Sequence, residues 1–341
     1  MTPKIFPMHP AAHAGNHVGE LVPGVSICVP VYRSRETLRT LVEEIARVLP
    51  TVCDCFEVLL VEDGCPDQSW DVIEQLAAQY PWVHGIRLLR NYGQHNALLC
   101  AIRAARCEII VTMDDDLQHP PGEIPKLLAK LCEGHDVVYG TPQEMTHSWW
   151  RNVTSRLTKK AFAFATGNQN IQDINAFRAF RTKLRLAFAD YRSPQLQIDM
   201  LLSWGTRKFT IVTVQHESRK VGTSNYTFTK LLNHTMLLLT GYSTAPLRFA
   251  SFVGFMFTIL GGLILCYAVG RYFVGESLPG FPFLAATISI FSGIQLFILG
   301  IIGEYLARMF NRSLDRPTYV AQEEIGGQEI RLASGNRKDA A

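Results

Sequence analysis

The stretch IIVTMDDDLQHPP, residues 109–121, is a short β-branched run that ends abruptly in three adjacent carboxylates. Ile109 to Met113 has the length and composition of a strand, and Asp114, Asp115 and Asp116 follow it without a spacer. Like charges crowded at a strand end repel one another, so the arrangement is costly unless a cation neutralises it. Side chains alternate along an extended backbone, which sends Asp114 and Asp116 to one side and Asp115 to the other. Two carboxylates on one side, with the amide of Gln118 just downstream, make a set of hard oxygen donors suited to Mg²⁺ or Mn²⁺ bridging to a diphosphate.

Upstream, the same event recurs. Val25 to Val31 (VSICVPV) reads as a strand followed by a helical pattern from Glu36 to Val48. Phe56 to Val61 (FEVLLV) is followed by one from Ser69 to Ala78, and Val83 to Leu89 is a further strand. Strands and helices alternating at this spacing predict an α/β fold with a mostly parallel sheet buried on both faces. Ligands on such sheets bind at the carboxyl ends of the strands. Three of those ends carry polar groups: Glu62 and Asp63 in VEDG, Arg90 and Asn91 in RNYGQH, and the acidic run itself. A carboxylate at position 63 suits either an N–H of a nucleobase or an ordinary Asp-Gly turn.

Downstream, the character of the chain changes after Pro246. Phe249 to Gly270 and Ser277 to Gly303 contain no charged residue, and each exceeds the roughly 20 residues a helix needs to cross a bilayer. The short link predicts a hairpin. Arg219, Lys220, Lys230 and Arg248 before it, and Arg308, Arg312 and Arg316 after it, outnumber the single Arg271 in the link, so both ends are expected on the cytoplasmic side. Residues 228–239 (FTKLLNHTMLLL) read as an amphipathic helix lying in the membrane interface. The expected organisation is a flexible leader over 1–24, a catalytic domain over 25–225 and an interfacial region over 226–246. A hairpin over 247–304 (spans near 249–270 and 278–302) and a cytoplasmic tail over 305–341 complete it.

The whole chain has 341 residues, 33 Lys+Arg against 30 Asp+Glu and 48% hydrophobic residues, which excludes a disordered chain and a basic nucleic-acid arm. The mean hydropathy of +0.08 averages a soluble part and an apolar one. Eight cysteines lack the paired spacing of a zinc site and read as reduced thiols in a cytosolic domain.

Together these marks resemble glycosyltransferase family 2, in particular the members that load sugars onto polyprenyl phosphates, such as dolichyl-phosphate mannose synthases and undecaprenyl-phosphate sugar transferases. The resemblance runs from about residue 25 to 321. It rests on VPVY (29–32), VEDG (61–64), RNYGQH (90–95), DDDLQHPP (114–121) and the closing STAPLR and GEY segments. RNYGQH and the two-span tail are most similar to the aminoarabinose transferase subgroup.

The resemblance implies a GT-A fold and an inverting transfer from a nucleotide-sugar donor to polyprenyl phosphate at the bacterial inner membrane, serving cell-envelope glycan modification. Asp114, Asp116 and Gln118 would hold the metal, and Pro30, Tyr32, Asp63, Asn91, Asp114 and Asp115 the nucleotide. Arg151 and Ser155, four apart and so on one helical face, would clamp the acceptor phosphate with Arg219, and Asp173 is the candidate base. The chain departs from the family at Glu62, where Asp is usual, at Asn225, where Lys is usual, and at Gln143, where Arg is common. Glycines at 254, 261, 262, 293, 300 and 303 would let hairpin helices approach in a homo-oligomer. Two competing readings are a processive polysaccharide synthase, for which no QxxRW motif is present, and a catalytically silent membrane scaffold.

Overall fold

The computed structural model describes residues 22–142, 175–194, 196–216, 244–273, 280–327 and 331–332. Among these residues nine strands form one sheet in the order β7-β5-β6-β4-β1-β2-β3-β8, with β9 paired to the first residues of β2, ahead of the start of β3. At its centre β1 (Val25–Val31), β2 (Cys55–Glu62), β3 (Val83–Leu88) and β4 (Ile109–Thr112) run parallel. β1, β4 and all but the first residue of β2 are buried, as near-continuous apolar runs require when helices cover both faces. The covering helices are α1 (Leu38–Val48), α2 (Ser69–Gln79), α3 (Gln94–Ala104) and α4 (Ile124–Cys132). In α1 the buried residues Leu38, Leu41, Val42 and Ile45 recur at helical spacing and meet the sheet as one stripe.

From β1 the chain proceeds to β2 and β3 on one side and then returns to place β4 on the other. The strand order therefore reverses between β1 and β4, the position at which open α/β sheets bind ligands. Pro30 marks this point. Pairing of β1 with β4 stops at Cys28–Thr112 while pairing with β2 continues to Val31–Glu62, so the missing N–H of Pro30 falls where β4 no longer needs a partner.

The far half of the sheet is mixed. β6 (Arg178–Arg181) runs antiparallel between β4 and β5 (Val137–Pro142), and β7 (Phe209–Val214) is parallel to β5. α5 (Ile198–Gly205) packs beneath them in a second core with Leu98, Phe180 and Phe188. Two long helices follow, α6 (Ala245–Phe273) and α7 (Gly280–Ser313), each long and apolar enough to cross a membrane, with none of their apolar windows buried. Phe257 meets Phe291 edge to face at 6.0 Å between them. The predicted hairpin is thus present, and α7 continues past the expected span end to Ser313.

The stretch expected to be a tail does more than hang free. β8 (Ala321–Gly326) adds antiparallel to β3, and β9 (Arg331–Leu332) adds to the start of β2. No apolar run announces β8, because it is an edge strand with most side chains exposed. All eight cysteines are free thiols.

Candidate active site

The three carboxylates lie just beyond β4, over the reversal between β1 and β4. The chain turns at Asp115 and Asp116 instead of staying extended, so both of these line the cleft beside the β1 loop, which simple alternation would not give. Asp115 turns toward the β1 loop, where its Oδ2 accepts from the Tyr32 N–H (2.9 Å) and from the Ser34 hydroxyl. Asp114 Oδ1 accepts from the Gln94 side-chain amide at 2.7 Å, and Asp116 Oδ1 accepts from the Gln118 N–H at 3.1 Å. The last contact closes a tight turn with Leu117 in the left-handed region at φ 60°. Arg33 and Gln68 also adopt left-handed φ, so three of the four such non-glycine residues among those described lie around the same site.

The electrostatics match the crowding. Burial, then Asp116 and Asp115, push the Asp114 carboxyl up to about 7, against the opposing pull of Arg178 and the Gln94 amide. Burial pushes Asp115 up to about 6, opposed by its bonds to Ser34 and Tyr32. A cleft of about 460 Å³ opens beside the cluster, lined by Tyr32, Arg33, Arg35, Asp67, Asp115 and Asp116 among others. Among the described residues no three His, Cys, Asp or Glu side chains converge as a ready-made cation cage. Asp114, Asp116 and the Gln118 amide nonetheless offer oxygen donors of the kind a hard divalent cation takes, and a cation there would offset the burial and neighbouring charge that raise Asp114.

The raised pKa values, set first by burial, have a measurable consequence. A carboxyl whose pKa is raised by folding binds its proton more tightly in the native than in the unfolded state. The contribution of these two carboxyls to the stability of metal-free protein is therefore fully present below the ordinary carboxylate range and is lost as pH rises through about 4 to about 7. In EDTA the thermal midpoint is expected to fall by several degrees between about pH 5 and about pH 8, and Mg²⁺ or Mn²⁺ should flatten the fall. A midpoint indifferent to both pH and cation would contradict the assignment.

Asp63 is placed differently from a free base reader. It is buried, and its two oxygens accept from the Tyr92 N–H (2.6 Å) and the Gly93 N–H (2.8 Å), so the carboxylate ties the end of β2 to the start of α3. Burial raises its pKa and those two bonds oppose the rise. Any contact with a base would use lone pairs left over from this brace. Its neighbour Gly64, at φ +62°, approaches so closely that an added Cβ would lie 2.4 Å from the Asn91 nitrogen. That contact holds the exposed Asn91 beside the β2 end. Glu62 is buried, accepts from the Cys65 N–H and faces Arg87 Nε at 3.5 Å, so the extra methylene serves the turn rather than the cleft.

Several residues that carried no sequence-based role support the site. Gln94 lies in RNYGQH, just after Gly93 at the start of α3, and that polar strand-end motif was the available signal. His119 stacks on Phe177 at 5.1 Å, and its Nε2 faces the Asn175 side-chain amide at 2.9 Å. Asn175 Oδ1 accepts from the Ala176 N–H, which orients the amide nitrogen toward the ring, so the neutral imidazole carries its proton on Nδ1. Burial and then His216 lower the His119 pKa to about 4. Behind Asp114, the wholly buried Arg178 pairs with Asp199 and donates to Thr112 Oγ1 at 3.0 Å, while the Tyr139 hydroxyl donates to the same Asp199 oxygen at 3.0 Å. Arg151, Ser155, Asp173 and Arg219 lie outside the described residues.

Comparison with known proteins gives this arrangement its class. A family model described as glycosyl transferase family 2 matches residues 26–192, which contain β2 to β6, all of β1 but Val25, and every described site residue named above except Asp199 and His216. The chain is 32% identical to an undecaprenyl-phosphate 4-deoxy-4-formamido-L-arabinose transferase of Enterobacter sp. (strain 638), over 94% of this chain and 99% of the relative. A transferase of the same description from Proteus mirabilis (strain HI4320) is 33% identical over 90% and 95%. The chain belongs to glycosyl transferase family 2. Its structure also resembles that of glucosyl-3-phosphoglycerate synthase from Mycobacterium tuberculosis, solved with Mn²⁺ and UDP. That match has a TM-score of 0.47 and 16% identity over 64% of this chain and 78% of the other.

Proposed function

We propose that this glycosyltransferase moves one sugar from a nucleotide-sugar donor to the phosphate of a membrane-embedded polyprenyl phosphate. The observation that carries the reading is the acidic strand end, set over the sheet's reversal point beside an open cleft, on a chain that also bears two uncovered apolar helices. The description of the Enterobacter and Proteus relatives, which match over nearly their whole length, supports undecaprenyl phosphate as the acceptor. The same description, the cationic flanks of the hairpin and the need for a cytosolic donor support the bacterial inner membrane.

In this reading the nucleoside lies in the cleft against Tyr32, and its diphosphate reaches toward Asp114, Asp116 and Gln118. Mg²⁺ or Mn²⁺ held by those three would supply the charge that steadies the departing nucleoside diphosphate. A phosphate oxygen of the acceptor attacks C1 of the sugar in line, the C1–O bond to the diphosphate breaks, and the anomeric configuration inverts. A phosphate monoester has a second pKa near about 6, so the acceptor is largely dianionic at cytosolic pH and needs little help from a base. Asp173 is then an orienting group at most. What the acceptor needs is positioning and relief from phosphate–phosphate repulsion, which Arg151, Ser155 and Arg219 supply.

The test is release of nucleoside diphosphate by purified protein with a panel of nucleotide sugars, with and without undecaprenyl phosphate. One donor should react only when the lipid is present; release indifferent to the lipid for every donor would defeat the reading. Within it, Arg151→Ala is expected to raise the KM for the lipid roughly tenfold to hundredfold, the effect of losing a charge-assisted contact to phosphate, with the donor KM unchanged. Equal KM values in wild type and variant would remove Arg151 from the clamp. Topology is checked separately: a cysteine introduced at Leu278 should be labelled by an impermeant reagent from outside the cell, and one at Ser313 should not. The reverse pattern would part the site from its donor.

A further inference from the structure

The geometry points to residues 314–327 as a strap that fixes the height and rotation of the catalytic domain over the membrane hairpin, with Arg103 as its main positioning residue. The inference rests on the proposed membrane-embedded acceptor, whose phosphate sits at one level relative to the bilayer.

Two covalent links join the sheet to the hairpin. One, residues 217–243, has 27 residues. The other has seven, Leu314 to Val320, between the end of α7 and the start of β8, and can span at most about 25 Å. The shorter link sets the geometry, and it is pinned along its length. Asp315, two residues past α7, faces Arg192 at 3.5 Å. Arg103 donates to Thr318 Oγ1 at 3.4 Å and lies over the Tyr319 ring at 5.7 Å. It also donates to the carbonyls of Ala189 (3.2 Å) and Tyr191 (2.7 Å), so one guanidinium gathers the strap and the 189–191 loop. Thr318 is buried there.

Beyond the link the attachment becomes a sheet ladder. The Leu89 N–H donates to the Val320 carbonyl at 2.9 Å, and β8 then pairs with β3 from Leu88 to His84. Gly85 makes room for it: a Cβ there would lie 2.8 Å from Ile325 Cγ1. The ladder ends at Gly326 and Gly327, both at φ +68°, where the Gly327 carbonyl accepts from Arg106, itself paired at 2.7 Å with the wholly buried Glu57. A Cβ on Gly326 would lie 2.3 Å from the Val83 carbonyl oxygen, so this end admits no side chain.

Arg103 belongs to the last turn of α3, and Gln94, which holds Asp114, to the first. The strap is therefore anchored to the same rigid rod, about 16 Å long, whose other end carries the acidic cluster. A change in strap seating moves the site relative to the membrane as a body and leaves the site's internal contacts intact.

The experiment uses full-length protein in bilayers of phosphatidylethanolamine and phosphatidylglycerol, as wild type, Arg103→Met and Gly326→Val. A dye on the exposed Cys132, in a background lacking Cys266, reports its distance to labelled headgroups by energy transfer. Both variants should broaden that distance distribution. They should raise the KM for long-chain polyprenyl phosphate in the bilayer tenfold or more, and leave kcat and KM for a short, water-soluble polyprenyl phosphate within twofold. Equal losses on both acceptors would mean that the segment only stabilises the domain, and would overturn the proposal. An unchanged distance distribution overturns it whatever the acceptor proves to be, whereas a wild type that uses neither lipid, with the distance shift still present, would count against the proposed function alone.

Discussion

Asp116→Asn is expected to lower the transfer rate by about a thousandfold or more, equivalent to about 4 kcal/mol of lost transition-state stabilisation. The substitution keeps an Oδ1 that can accept from the Gln118 N–H, so the turn at Leu117 should survive and the protein should unfold no earlier than wild type. It removes a charge where the departing diphosphate most needs a cation, and chelator applied to wild type should give a loss of the same order. Asp115→Asn should be milder, since that carboxylate is turned toward Tyr32 and Ser34. Full activity of wild type in EDTA, or of Asp116→Asn at any cation concentration, would contradict the role given to the acidic strand end.

Arg178→Met should produce the largest loss of stability, about 3–5 kcal/mol in chemical denaturation. The guanidinium is wholly buried between β4 and α5, and its removal strands Asp199, which is only 5% exposed, with the Tyr139 hydroxyl. The penalty belongs to the orphaned charge rather than to the lost contact. The double variant Arg178→Met/Asp199→Leu should therefore recover most of it, because a well-packed apolar pair of similar volume costs little against a buried ion pair. A single variant as stable as wild type, or a double variant no better than the single, would show that the pair is not what holds β6 to α5.

The contrast between these two residues shows what a sequence can announce. Asp116 stands out because three carboxylates after an apolar strand have no cheap structural explanation. β1 to β4 and both apolar helices were legible for a similar reason, since each is a local run whose period or length reports its burial directly. Arg178 was not legible: nothing in FRAFR marks its first arginine as buried, and its partner Asp199 is brought to it only by the fold. β8 escaped notice because an exposed edge strand such as AQEEIG carries neither alternation nor an apolar run, and its pairing with β3 joins residues more than two hundred apart.

Within the site the pattern was the same. Strand ends were expected to carry the site, and Pro30, Tyr32, Asp63, Asn91, Asp114, Asp115, Asp116 and Gln118 all lie at or just beyond the ends of β1 to β4, with Tyr32, Asp115 and Asp116 lining the cleft. Individual roles were harder to read, because a carboxylate in VEDG gives no hint that two backbone N–H groups of the next loop already hold it. Gln94 illustrates the converse: its amide reaches Asp114 only because the fold brings the first turn of α3 beside the residues that follow β4.

The most direct test of the account is the mass and anomeric configuration of the lipid product formed from the one nucleotide sugar that reacts. The account predicts a single sugar joined through C1 to the phosphate of the polyprenyl chain, with configuration opposite to that in the donor. A lipid carrying a polymer of sugars, a sugar attached elsewhere than the phosphate, or retained configuration would contradict it.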